Sequence, residues 1–292
     1  MAPSAPFKLS NNIEIPCVDD REYKTLVLEN DLQVLLVSDP STDKGSAAMD
    51  VNVGSFNDPE EFPGLAHFLE HMLFMGTEKY PDENSYSAFL NENGGSSNAY
   101  TASENTNYYF DVTAPFLEQA LDRFAQFFIH PLMTESATER ELLAVNSENA
   151  KNLQNDFWRF DQLQRTTASK EHPYHKFGTG NLQTLKDIPE ANSLDVRSAL
   201  LTFYERFYSS NLMKLVIIGS DSLETLEGWA REKFGAVVNK KLPVPASAFN
   251  GQPFTSEHLC RQFFVVPVQD LKMVTMTWPV PETRSTYESK PK

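Results

Sequence analysis

The stretch Gly64-Leu-Ala-His67-Phe-Leu-Glu70-His71-Met-Leu-Phe-Met-Gly76 contains H-x-x-E-H, and the rest of the chain is read outward from it. Residues four apart on an α-helix lie on one face, so His67 and His71 present two imidazoles to the same point. Glu70 stands one residue before His71 and three after His67, within reach of a water held between them. Two neutral imidazoles at this spacing suit a tetrahedral metal such as zinc, which in catalytic sites takes three protein ligands and leaves one position for water. The plain alternative is an amphipathic helix whose histidines face solvent, and a third ligand from elsewhere in the chain decides between the two.

Upstream, residues 23–29 and 32–37 alternate around Glu29-Asn30-Asp31 as a β-hairpin, and 46–53 reads as a third strand. Asn57-Asp58-Pro59 forms the loop into the histidine helix. Downstream, Asp82 is placed to cap a helix over 83–93 that Gly94-Gly95 ends, followed by strands near 97–102 and 107–113. Pro115 opens a helix with Phe116, Leu117, Ala120, Leu121, Phe124, Phe127 and Phe128 on one wide apolar face. Ser136-x-x-Glu139 reads as the capping box of a helix running to about residue 154. Helices over 156–169, 193–208 and 223–234 and a buried strand over 212–219 complete the pattern. Pro243, Pro245 and Pro253 mark a linker, and 261–267 and 271–278 read as two further strands.

Composition narrows the function. The formal net charge of −15 argues against a nucleic-acid backbone as partner, since that binding needs a basic face. Cys17 and Cys260 do not make a disulfide framework, which fits a reducing compartment. The N-terminus lacks the continuous apolar run of a secretory signal, and no stretch approaches the ~18 apolar residues that span a bilayer. The expectation is a soluble, cytoplasmic protein with no nucleic-acid or membrane partner; peroxisome and mitochondrion stay open.

The third ligand is sought in Glu139-Arg-Glu141-Leu-Leu-Ala-Val-Asn-Ser-Glu148, where Glu141 and Glu148 stand close to two turns apart and share one helical face. Carboxylates on a helix are usually solvated, so spacing alone does not choose either. H-x-x-E-H is the inverzincin signature. Together with the distal glutamates it resembles the pitrilysin-type zinc metallopeptidases, and in particular their insulysin branch. The same resemblance runs through Tyr80-Pro-Asp-Glu-Asn-Ser-Tyr, Gly94-Gly-Ser-Ser-Asn-Ala-Tyr-Thr, Thr106-Asn-Tyr-Tyr-Phe-Asp-Val and Phe127-Phe-Ile-His-Pro-Leu, and extends from about Tyr23 to Trp278.

That resemblance implies an α+β fold, a mixed and largely antiparallel sheet packed by helices, with the first strands of a second homologous domain. It implies an extension over 1–22, a catalytic zinc-peptidase domain over 23–240, a linker over 241–260 and the truncated start of the second domain over 261–292. It implies one Zn2+ held by His67, His71 and Glu148, with Glu70 as general base and Glu141 supporting the histidines. Asn98, Ala99 and Tyr100 then lie on an edge strand that pairs with an extended peptide substrate, and Phe74, Tyr100 and Trp158 form the aromatic side of the substrate pocket. His172 and His175 are left as surface or structural residues, the three-ligand set being complete without them. The expected function is a zinc metalloendopeptidase that hydrolyses peptides by a zinc-activated water. The chain reads as the N-terminal part of the enzyme, lacking the C-terminal half of the chamber, which the rest of a longer protein or a homo-oligomer would supply. The alternative is a non-catalytic, zinc- and peptide-binding assembly subunit.

Overall fold

A computed structural model describes residues 13–243 and 251–280. The chain divides into two compact units, Met1–Asn149 with Lys176–Ala248, and Ala150–His175 with Phe249–Lys292. In chain order the strands are β1 (Glu22–Val27), β2 (Gln33–Ser38), β3 (Lys44–Val51), β4 (Ser96–Thr101), β5 (Thr106–Thr113) and β6 (Met213–Gly219). The α-helices are α1 (Leu65–Met72), α2 (Ser85–Glu92), α3 (Leu117–Ala125), α4 (Glu135–Asn152), α5 (Asp156–Thr166), α6 (Ile188–Ala191), α7 (Val196–Phe207) and α8 (Leu223–Phe234).

The strands form a six-stranded sheet in the order β1-β2-β6-β3-β5-β4. Every neighbouring pair is antiparallel except β2 with β6, so the sheet is mixed and largely antiparallel as expected. Strict alternation makes it one-sided. In β3, Ala47, Met49 and Val51 are buried, and in β5 Tyr108, Phe110 and Val112 are buried, while Tyr109 and Val216 on the opposite face are exposed. A sheet with one apolar face must cover it, and helices do so here. Helices α1, α3 and α8 pack on the strands, and Phe124 of α3 sits among Phe110, Phe127, Phe128 and Phe234 at centroid distances of 5.2–6.4 Å. The wide apolar face of α3 is therefore the core of this unit. Phe116 departs from it, being 37% exposed and packed edge-on against Phe89.

Three local expectations are corrected. The cap of α4 is Thr134, whose hydroxyl accepts the Ala137 N–H at 3.2 Å; the helix already begins at Glu135, leaving Ser136 inside its first turn. Asp82 accepts the Asn84 N–H at 3.0 Å in a turn before α2, and that helix has no side-chain cap. Residues 261–267 and 271–278 carry no strand. β-Branched and aromatic residues prepare a segment for a ladder, but a strand exists only with a partner, and no described residue pairs with these in a ladder. In this second unit the Asp156 carboxylate accepts the N–H groups of Val268 and Gln269, and Arg159 donates to the Val266 carbonyl. Phe264, Val274 and Trp278 remain largely exposed.

Candidate metal centre

Helix α1 is buried along most of its surface, including Leu65, Phe68, Leu69 and Met72. His67 and His71 occupy its remaining side, with ring centroids 4.8 Å apart and planes at 90°. The first unit's sheet edge β4 packs beside α1, and α4 brings its acidic face to the two histidines. The Glu148 Oε2 lies 3.6 Å from His67 Nε2 and 3.5 Å from His71 Nε2. One ligand atom from each of His67, His71 and Glu148 falls within 4.8 Å of the others.

The outer nitrogens of both rings are already committed. His67 Nδ1 is 2.7 Å from the Thr179 carbonyl oxygen, and His71 Nδ1 is 2.9 Å from Glu141 Oε1. A carbonyl and a carboxylate only accept, so each Nδ1 carries the hydrogen and each Nε2 is the nitrogen turned toward Glu148. Two imidazole Nε2 atoms and one carboxylate oxygen, converging with Nδ1–H groups satisfied, form a donor set that fits zinc and leaves a fourth position open. Burial disfavours a charge on His71, but hydrogen bonds to Glu141 and Glu148 and the nearby Glu70 outweigh it and raise its pKa to about 9. A metal at this point competes with a proton on Nε2.

Glu70 is buried, 6% exposed, beside this cluster. Its Oε2 accepts the Thr101 hydroxyl at 2.6 Å, which ties α1 to the last residue of β4. Burial raises the proton affinity of Glu70 above the usual carboxylate range, opposed by His67, Thr101 and His71. The site thus holds a carboxylate that prefers a proton more than a solvated one does, next to ligands for a cation.

The other predicted residues divide. Asn98 and Tyr100 are exposed on the edge strand β4, with Ala99 between them half-buried. Phe74, one turn past His71, packs its ring against Tyr86, Tyr108 and Phe127. Trp158 lies on α5 in the second unit, 45% exposed and edge-on to Phe157. His172 and His175 are also in that unit, where His175 Nδ1 donates to the His172 carbonyl.

Four residues around the site were not singled out from sequence. Thr101 and Thr179 have ordinary spacings, and nothing in them signals a partner 31 or 112 residues away. Asp58 had a signal, an Asx–Pro turn seven residues before the helix. Its buried carboxylate accepts the Gly64 and Ala66 N–H groups, each at 2.8 Å. Asn146, on the same helix as Glu148, accepts the Leu182 N–H at 3.1 Å.

Two family models match the chain. The model for Insulinase (Peptidase family M16) matches residues 33–171, and that for the Peptidase M16 inactive domain matches residues 195–292. The A-factor-processing enzyme of Saccharomyces cerevisiae is 49% identical over 98% of this chain and 28% of its own length. The insulin-degrading enzyme of Homo sapiens is 49% identical over 97% of this chain and 28% of its own length. The crystal structure of pitrilysin superimposes with a TM-score of 0.78 and 40% identity, covering 81% of this chain and 25% of that one. The chain therefore spans little more than a quarter of the length of the curated relatives it matches. On these matches, its pitrilysin-like fold and its H-x-x-E-H helix, the chain belongs to the insulinase family of zinc peptidases, peptidase family M16.

Proposed function

We propose that this chain carries the metal centre of a zinc-dependent endopeptidase, with His67, His71 and Glu148 as ligands, Glu70 as general base and Glu141 orienting His71. The observation that carries the reading is the convergence of two Nε2 atoms and the Glu148 carboxylate beside the buried Glu70. Zinc, when bound, supplies a Lewis acid and lowers the pKa of its water towards ~7. Glu70 takes the proton from the attacking water and returns it to the leaving amine. Thr101 holds one Glu70 oxygen in place, leaving the other for the proton.

Substrate is bound as an extended peptide. Strand β4 is a sheet edge, and an added strand gains main-chain hydrogen bonds without demanding a particular sequence. Asn98, Ala99 and Tyr100 are the contact residues on β4, and Phe74 is assigned to the aromatic side of the pocket. The relatives are several times longer, and we assign the opposite half of the peptide chamber to the rest of a longer polypeptide or to a second copy. The domain boundaries proposed above follow the same assignment. A reducing, cytosolic or peroxisomal compartment fits the two exposed free cysteines; among the described residues no helix is long and apolar enough to cross a membrane.

Zinc content after dialysis tests the ligand set: about one zinc in the parent chain and a large loss in Glu148→Gln are expected. A digest of an unstructured peptide, with Glu70→Gln as control, tests the chemistry. Turnover lost in the variant supports hydrolysis by Glu70. Equal turnover in both would leave only the non-catalytic, peptide-binding reading.

A further inference from the structure

A histidine ligand is useful only if its backbone and its ring rotation are both held, and for His67 the two restraints lead back to one residue. The backbone is set by the first turn of α1, whose Gly64 and Ala66 N–H groups both end on the buried Asp58 carboxylate at 2.8 Å. These are orphan donors of a helix N-terminus, and a buried carboxylate satisfies two of them at once. Ring rotation is set by the Thr179 carbonyl at 2.7 Å from Nδ1. Thr179 belongs to the segment 176–184, and that segment is anchored at Lys176, whose ammonium donates to the Asp58 main-chain carbonyl at 2.7 Å.

The anchoring is tight. Gly64 and Gly180 both have positive φ, +96° and +79°, and a Cβ on Gly64 would stand 2.2 Å from the Gly180 Cα. The two backbones are in direct contact, with no side chain between them. Further along, Thr184 donates to the Pro63 carbonyl at 2.9 Å, and Leu182 donates to Asn146 on α4, two residues before Glu148. Segment 176–184 therefore touches the start of α1, the ring of His67 and the helix that presents Glu148.

We propose that Asp58 is a positioning residue of the metal centre, acting with Lys176 as a latch that docks α1 and holds the Thr179 carbonyl on His67. The proposal rests on the metal-ligand reading above, and extends it to residues that touch neither metal nor substrate. Outer partners of metal-bound histidines are commonly worth 10- to 100-fold in metal affinity. Asp58 and Lys176 act one step further out, through two separate routes that meet on His67.

The test uses the 292-residue chain and its Asp58→Asn and Lys176→Met variants. Asp58→Asn replaces one accepting oxygen by an amide that cannot accept; Lys176→Met leaves the Asp58 helix cap intact and removes the anchor of 176–184 together with the Lys176–Glu60 ion pair at 3.0 Å. Zinc affinity is measured by chelator competition, and the His67 tautomer by ring-nitrogen NMR on the metal-free proteins. The expected result is affinity weakened about 10-fold or more in both variants, with His67 moving from pure Nδ1–H to a tautomer mixture. A role confined to stability would lower the melting temperature of Asp58→Asn while leaving affinity and tautomer as in the parent. Unchanged affinity and tautomer in both variants overturns the proposal. A parent chain that takes up no zinc would instead refute the metal-centre reading, and the tautomer of the metal-free chains would still decide the latch.

Discussion

His71 Nδ1 and Glu141 Oε1 lie 2.9 Å apart, joining α1 to α4 by a charge-assisted hydrogen bond. The same helix α4 delivers Glu148 two turns later, so one element supplies both a candidate ligand and the partner that orients another. Replacing Glu141 by Gln keeps an acceptor but removes the charge that strengthens the Nδ1–H bond. Zinc affinity is expected to fall by about 10-fold, and by up to about 100-fold in Glu141→Leu, where the acceptor is gone. Chelator competition at fixed pH measures both; equal affinity in all three proteins would refute the pairing.

The Thr101 hydroxyl donates to the buried Glu70 carboxylate at 2.6 Å. In Thr101→Val the shape is kept and the donor is lost, leaving a buried acid with one partner fewer. The cost is expected at about 1–3 kcal/mol, read as a lower denaturant midpoint with unchanged slope. Zinc stoichiometry should stay at the parent value, since no proposed ligand is altered. A midpoint equal to the parent's would show that Glu70 does not depend on this hydroxyl.

Gly64 combines a positive φ with backbone contact to Gly180, so Gly64→Ala meets both strain and a steric clash. A loss of at least about 3 kcal/mol is expected, on the order of 10 °C in melting temperature. Gly228 on α8 is the internal contrast, because a Cβ there meets nothing within 4 Å. Gly228→Ala should stabilise by about 0.5–1 kcal/mol through helix propensity. Calorimetry on the pair separates the two cases, and a harmless Gly64→Ala would contradict the close approach of the two backbones.

Burial pushes the Asp58 carboxyl up to about 7, although the Ala66 and Gly64 N–H groups and Lys176 pull the other way. A folded-state value above the unfolded one means that the folded protein holds the proton longer. The stability this contributes is full below the unfolded pKa near 3.8 and is lost as pH rises through about 7. Parent stability minus that of Asp58→Asn, which does not titrate, should therefore decline between about pH 4 and 7 by on the order of 2–4 kcal/mol, and level off above. A difference that is flat or rises across this window would place the Asp58 pKa at or below its ordinary value.

What the sequence determined by itself was local. The spacing of His67, Glu70 and His71 puts them on one short helix because helical geometry has a fixed period, and the same period sets Glu141 and Glu148 on one face of another. Alternation gave away β3 and β5, since successive strand residues point to opposite faces of a sheet. Resemblance to a known family then chose Glu148 over Glu141 as ligand, a choice that spacing alone left open. Tertiary structure decided what meets across distance. Thr179 reaches His67, Thr101 reaches Glu70, and Lys176 reaches the Asp58 carbonyl, across 112, 31 and 118 residues. No periodicity connects such pairs, because each contact depends on where two separate elements are packed. The segments at 261–267 and 271–278 show the converse: their β-forming residues are written in the sequence, but a strand also needs a neighbour, and that lies outside any local pattern.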